Sequence, residues 1–328
     1  MTGLIHPRTT VAMTTCNSAR FLRDQLESIA RQSVLPSGLV VADDASMDET
    51  RAILAEFSKA SPFPVEVISS SDRRGFHANS DIAVLRASQL GDIVVLADHD
   101  DVWERRKVET LVSRFASDRS LSIWCSDAML IDVDGDLTTG TLFEMVHLDA
   151  AARKLLQSGG ALTRLVRGET LTGPTMALRS DVAGAAVPTP TTRAGHDVLF
   201  SPDAWLAVVG ALLGGIVVEE DMLTRYRRHL GQMSDVAASD HLPPTRRADL
   251  ARHTAAVTLI SDRVRARPEL PWSARSVSEL FALEDFLLAR SLHRGTPGRA
   301  AALWGHARRG NYQRFASGWR TLGLDLIR

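Results

Sequence analysis

The chain has 328 residues, of which 45% are hydrophobic and 23% charged, a balance that excludes a disordered segment and predicts one large globular domain or two moderate ones. Two cysteines, Cys16 and Cys125, are too few for a disulfide framework and fit a reducing compartment. The net charge of -1 conceals an asymmetry: residues 241–328 carry 15 Arg, no Lys and 7 acids, whereas the first 240 residues carry 23 basic and 32 acidic ones. An acidic body suits a metal site. An Arg-rich end suits an anionic surface (a membrane, a nucleic acid or a phosphorylated acceptor) or a solvated helical face. The N-terminus MTGLIHPRTT has no apolar core of signal-peptide length, and the longest apolar run, AWLAVVGALLGGIVV, is 15 residues with three glycines. It reads as a buried helix followed by a strand rather than a membrane span. A cytoplasmic protein, touching a membrane only at its surface, is expected.

In chain order, TTVAMTT alternates around Val11 and Met13 and predicts a strand. NSARFLRDQLESIARQS predicts a helix capped by Asn17 or Ser18, with Phe21, Leu22, Leu26 and Ile29 on one face. SGLVVADDAS is a second strand. Ser46 followed by Glu49 reads as a capping box opening the next helix. FPVEVISS is a third strand, RRGFHANSDIAVLRASQL a loop and helix, DIVVLADHDD a fourth strand, ERRKVETLVSRFAS a helix and SLSIWCSDAMLID a fifth strand. This alternation predicts an α/β fold with a mostly parallel, Rossmann-like sheet covered by helices on both faces. Past residue 135 the pattern loosens. LTGPTMALRSDVA predicts a strand and turn, SPDAWLAVVGALLG a helix with Ser201 as cap and Pro202 in its first turn, and GIVVEEDMLTRYRRH a strand running into a loop. Residues 1–238 are expected to form the sheet domain and 239–328 a helical, Arg-rich C-terminal extension.

Ligands of such sheets bind beyond the carboxyl ends of the strands. Here the second strand ends in VVADD and the fourth in VVLADHDD. The turn after the first strand, MTTCNSAR, lacks the glycines of a dinucleotide-binding loop, and no GxxxxGK phosphate loop occurs. Asp98, Asp100 and Asp101 with His99 place three carboxylates and an imidazole within four residues of a buried strand end. Like charges this close repel unless a cation lies among them. Mg²⁺ or Mn²⁺, which take carboxylate and diphosphate oxygens, answers both the missing phosphate loop and the crowded acids.

The stretches VAMTTCNSARFLRDQLESIARQS, VVADDASMDET, GFHANSDIAVLRA and VVLADHDDVW, followed by TGPTMALR and DAWLAVVGALLGGIVVEEDMLTRYRRH, resemble in order and spacing a family 2 glycosyltransferase of GT-A fold. The nearest likeness is to bacterial rhamnosyltransferase-like enzymes that build cell-surface polysaccharide, over roughly residues 10–235. The resemblance implies an inverting transfer from a nucleoside-diphosphate sugar, with dTDP-rhamnose the first candidate and a UDP-sugar the second. The acceptor would be a cell-surface polysaccharide or lipid-linked glycan, the Arg-rich tail would hold the enzyme at the inner leaflet, and nucleic acid would not be a partner. It places Thr14, Cys16 and Asn17, then Asp43 and Asp44, then Gly75 and Asn79, around the nucleotide. Cys16 stands where the family commonly has an aromatic residue. Asp100 is the implied metal ligand, Asp98 a metal ligand or a ribose contact, and His229 a further ligand. His99 replaces a more usual Gln. Arg227 is implied at the diphosphate. Two residues compete as the base that takes the acceptor proton: Asp203 in SPDAW, followed by Trp205 but preceded by Pro202 in place of the usual His, and Asp197 in GHD. The rivals to this reading are a metal-dependent nucleotidyltransferase and a non-catalytic nucleotide-sugar-binding protein.

Overall fold

Four strands and three helices alternate through the first third of the chain. Strands β1 (Thr9–Thr15), β2 (Gly38–Asp43), β3 (Val65–Ser69) and β4 (Ile93–Ala97) are joined by helices α1 (Leu22–Ala30), α2 (Thr50–Ala60) and α3 (Phe76–Ser88). The structure, a computed structural model, describes residues 7–166, 171–194, 197–230, 232, 246–293, 296–316 and 318–327. Strands β1, β2 and β4 bury nearly every residue, because helices cover both faces. Val11, Met13, Leu39, Val41, Ile93 and Val95 face α1, where Leu22, Leu26 and Ile29 lie along one line. Ala12, Val40, Ala42, Val94 and Leu96 face the other way. Each such aliphatic side chain contributes about 1.5–3 kcal/mol by leaving water.

The second part comprises β5 (Val102–Trp103), α4 (Lys107–Ser117), β6 (Leu121–Ile131), β7 (Leu137–Thr141), three short helices α5 (Leu142–Met145), α6 (Ala150–Leu155) and α7 (Ala161–Leu165), and a turn at Gly173–Thr175. Then come β8 (Met176–Arg179), α8 (Ser180–Ala186), the short strands β9 (Arg193–Ala194) and β10 (Asp197–Val198), α9 (Pro202–Leu213) and β11 (Gly215–Arg227). The main sheet runs β3-β2-β1-β4-β8-β6-β11-β5, with β7 beside β6. The expected parallel character holds for β1 to β4 and for β6 with β11, but β8 runs antiparallel between β4 and β6. The sheet is therefore mixed. α9 starts as its sequence predicts, with Ser201 capping the Ala204 N–H and Pro202 in the first turn. It lies so close to β6 that a Cβ at Gly210 would run into the Ile123 side chain.

Two local expectations fail. Ser46 does not cap α2, which opens at Thr50. Its hydroxyl bonds Asp43 and accepts the Asn17 N–H instead. Ser18 accepts the Cys16 N–H, and α1 begins only at Leu22.

The C-terminal helices are α10 (Arg246–Ala266), α11 (Ala274–Ser291), α12 (Arg299–Arg308), α13 (Asn311–Phe315) and α14 (Trp319–Ile327). Val257, Ile260, Leu283, Phe286 and Leu287 belong to the same apolar core as Trp205 and Val208 of α9, and the Ser273 N–H donates to the Leu212 carbonyl at 2.8 Å. Several arginines of this region act as struts. Arg265 pairs with Glu284, Arg290 with Asp325, Arg314 with Glu279, and Arg263 donates to the carbonyls of Ala185 and Pro188. Part of the positive charge evident in the sequence is thus committed inside the fold. Among the described residues, no helix is long and apolar enough to cross a membrane.

Candidate active site

Parallel pairing of β1 with both β2 and β4 brings three loop starts to one edge: Thr15 is opposite Asp43 and Met13 opposite Ala97. Thr14 is the last but one residue of β1, and beyond the strand ends lie Cys16, Asn17, Asp44 and the acid cluster. The Cys16 thiol donates to the Asp44 carbonyl at 3.2 Å, and burial pushes its pKa up. Asn17, at φ 52°, accepts the Met47 N–H through its side-chain oxygen at 2.9 Å. Asp44 receives the N–H groups of Arg74 at 2.7 Å and Gly75 at 3.0 Å. This clamp fixes the loop that opens α3. Gly75 has φ 87°, a backbone conformation that an L side chain would strain. Asn79 donates to the Ala42 carbonyl at 2.8 Å, tying α3 to the end of β2.

Asp43 is placed differently from the expectation of a nucleotide contact. It is fully buried, and its carboxylate accepts from Thr15, Ser46 and Arg51, the last at 2.8 Å. Burial alone would raise its pKa, but those bonds together hold it below the ordinary carboxylate range. It braces the rim of the crevice and has no free face to offer a ligand.

The carboxylates of Asp98, Asp100 and Asp101 come together so closely that one oxygen from each lies within 4.8 Å of the others. Burial, then Asp100 and Asp203, pushes the Asp98 pKa up to about 8. Asp101 is raised well above the ordinary range by burial and then by Asp100 and Asp98. Its Oδ1 accepts the Arg227 N–H at 2.9 Å, while Oδ2 is buried and has no partner among the described residues. His229 Nε2 lies 2.8 Å from Asp100 Oδ2, its ring packed 4.9 Å from that of Phe21. Hard oxygen donors, one imidazole, an orphaned buried oxygen and mutual repulsion fit a divalent cation of the Mg²⁺ or Mn²⁺ kind. Asp100, Asp98 and His229 are the residues that would hold it. His99 bonds the backbone of Thr14, and burial lowers its pKa.

Asp203 sits in the first turn of α9. Its Oδ2 accepts the Gly173 N–H at 3.2 Å, and Oδ1 accepts from Ser201 and from the Ala204 N–H. The Gly173–Thr175 turn that holds it packs against β4, the strand that runs into the acid cluster. Asp197 lies in β10, but its side chain is outside the described residues, as is the whole of His196.

Arg227, expected at a diphosphate, is instead enclosed. It is 2% exposed, and its guanidinium donates to the carbonyls of Asp100, Asp132 and Val133 and to Asp24 while lying 4.6 Å from the Phe21 ring centroid. It positions the acid loop. Arg227→Met is therefore expected to destabilise the fold by about 3–5 kcal/mol, because several buried acceptors lose their donor at once. Urea melts in chelator would measure this, and a loss near zero would contradict it.

Three residues that the sequence left unremarked also belong here. Gln25 donates to the Asp98 carbonyl at 3.0 Å, Gly173 holds Asp203, and Lys107 is wholly buried and donates to the Pro174 carbonyl of the same turn. Lys107 did carry a signal: it continues the buried line of Val108, Leu111, Val112 and Phe115 on α4. Farther along the edge, Asp127, Phe143, His147, Asp149, Arg153 and Glu220 line a cleft of about 480 Å³ against β6 and β11.

Residues 10–142, which contain the acid cluster and the loops that follow β1 and β2, match the family described as glycosyl transferase family 2. Residues 10–142 are a family 2 glycosyltransferase domain. The dTDP-rhamnosyl transferase RfbG of Shigella flexneri is 26% identical over 102 residues, 30% of this chain and 35% of that protein. The chain spans a third to a half of the length of the curated relatives it matches. Among solved structures, S. aureus TarS 1-349 in complex with UDP-GlcNAc superposes with a TM-score of 0.54 at 15% identity, over 94% of this chain and 89% of that one. The mannosyltransferase PcManGT from Pyrobaculum calidifontis, in complex with GDP-Man and Mn²⁺, gives 0.52 at 18% identity, over 98% and 85%. The GT-A fold of the family 2 domain therefore continues, with its C-terminal helices, through almost the whole chain.

Proposed function

We propose that this chain is an inverting glycosyltransferase that moves a sugar from a nucleoside-diphosphate donor to a glycan hydroxyl. The observation that carries this reading is that the Gly173–Thr175 turn, which holds Asp203, packs against β4, the strand that runs into the acid cluster, so a base candidate and a cation site lie near one sheet edge. Asp203 accepts the acceptor hydroxyl's proton. The freed oxygen attacks the anomeric carbon from the face opposite the diphosphate, the carbon–oxygen bond to the diphosphate breaks, and the nucleoside diphosphate leaves with its electron pair. When bound, a divalent cation held by Asp100, Asp98 and His229 would supply positive charge for that leaving group. Asp203 is held in place by the Gly173 N–H and by its seat in the first turn of α9.

The donor half is the β3-β2-β1-β4 side, and the acceptor is assigned to the cleft against β6 and β11, on the side of α9. The likeness to a dTDP-rhamnosyl transferase favours dTDP-rhamnose as donor, with a UDP-sugar next. A bacterial surface polysaccharide, lipid-linked while it is built, is the acceptor class this reading names.

Calorimetry with UDP, dTDP, GDP and their sugars, each with Mn²⁺ or with chelator, tests the reading. One nucleotide is expected to bind, and only with metal. Binding of none, under either condition, would end it. Binding without transfer to any glycan acceptor would favour the non-catalytic alternative, and pyrophosphate release from a nucleoside triphosphate would favour the nucleotidyltransferase.

A further inference from the structure

Not every arginine of the C-terminal helices is a strut. Residues 299–328 hold six arginines and one acid, Asp325. That acid is buried, paired with Arg290 and bonded by the Tyr312 hydroxyl, so it turns no charge outward. Arg299 is buried, Arg314 pairs with Glu279, Arg309 lies 3.9 Å from Asp285, and Arg328 is outside the described residues. Arg308 and Arg320 are exposed, and among the described residues neither has a carboxylate within ion-pair distance.

The helices that carry these two cations also expose aromatic surface. Leu303 of α12 and Leu322 of α14 enter the core with Phe286, while the outward faces show Trp304, 48% exposed, and Trp319, 62% exposed. Leu324 adds to the face of α14. The two helices pack side by side, and Arg299 at the start of α12 donates to the Asp325 carbonyl near the end of α14 at 2.6 Å, so they run antiparallel. Trp319 and Arg320, at the start of α14, therefore lie toward the end of α12 that carries Arg308. Trp304 and Arg308 are one turn apart on one helix face. A tryptophan ring beside a free guanidinium suits the boundary of a bilayer. The ring prefers the headgroup level to water, and the cation meets anionic headgroups.

We propose that α12 and α14 form a docking face for an anionic lipid bilayer, with Trp304 and Trp319 entering the headgroup region and Arg308 and Arg320 meeting lipid phosphates. A second copy of this chain fits the face less well, because an isologous contact would bring two positive patches together. The docking face does not rest on the reaction assigned above. It narrows the Arg-rich end of the sequence to two arginines and two tryptophans.

The test is co-sedimentation of the full chain with vesicles of phosphatidylcholine alone and of phosphatidylcholine with phosphatidylglycerol in equal parts, with no donor or metal added. Binding to the mixed vesicles only is expected, and added salt should weaken it. Arg308→Gln with Arg320→Gln is expected to weaken it by about 10- to 30-fold. Trp304→Ala with Trp319→Ala is expected to weaken it by about 10-fold or more. All four side chains are exposed, so both pairs should fold. If one does not, the wild type decides alone: mixed vesicles with brominated acyl chains should quench part of its tryptophan emission, that of the exposed rings, since Trp103, Trp124 and Trp205 are buried. No binding to mixed vesicles, binding unchanged in both pairs, or binding without quenching would overturn the proposal. A chain that ignores vesicles but forms a dimer lost in Trp304→Ala with Trp319→Ala would give the face to a second copy and overturn it too. Each of these outcomes leaves the nucleotide and metal titrations untouched, so failure here is distinct from failure of the transferase reading.

Discussion

Asp203→Asn is expected to lower kcat by about 10²- to 10⁴-fold while leaving donor binding unchanged, the range a positioned general base supplies. The amide keeps one oxygen for the Gly173 N–H, so the turn and the start of α9 retain their geometry. The helix N-terminus loses a favourable charge, a loss of about 0.3–1 kcal/mol in stability, too little to unfold the chain. A stopped assay of sugar transfer, beside calorimetry of the nucleotide, separates the two readouts. If Asp203→Asn keeps wild-type kcat and Asp197→Asn loses it, the base is Asp197 and Asp203 is only a favourable helix-start residue.

Asp100→Ala is the second large effect. Outer-shell partners of a metal are commonly worth about 10- to 100-fold in affinity, so loss of a carboxylate that would itself be a ligand should weaken Mn²⁺ binding at least about 100-fold. Nucleotide binding that depends on the metal should fall with it. The stability of the metal-free protein should move the other way or not at all, since one of three crowded carboxylates is gone and Asp98 and Asp101 are relieved. Mn²⁺ titration and melting in chelator, on the same protein, give both numbers. Unchanged Mn²⁺ affinity would remove Asp100 from the metal site.

Much of this was legible in the chain because it is local. Continuous apolar strands and one-sided helices follow from spacing alone, and so did Ser201 and Pro202 at the start of α9. The acid cluster was visible because its members are adjacent residues on one strand end. What could not be read depends on partners far away in sequence. Asp43 looks like a ligand contact until Thr15, 28 residues earlier, and Arg51, on the next helix, close around it. Arg227 looks free until carbonyls 94 to 127 residues away accept its guanidinium. Ser46 has the spacing of a helix cap, but Asp43 and Asn17 compete for its hydroxyl and win. Lys107 needed the opposite inference, that a charged residue on an apolar helix face is buried for a reason.

The antiparallel seat of β8 between β4 and β6 also governs how the molecule comes into being. Strands 93–97 and 121–131 are close in sequence but never touch as sheet neighbours, and the space between them stays open until residues 176–179 arrive. A nascent chain that has emerged only as far as residue 142, the end of the family match, therefore presents the raw edges of two strands. Closing that gap demands contacts across some 80 residues, Val95 with Ala177, which makes the central step slow and entropically late. The strands that carry the acid cluster and the long strand pair on the far side are thus expected to close into one sheet only when β8 is in place.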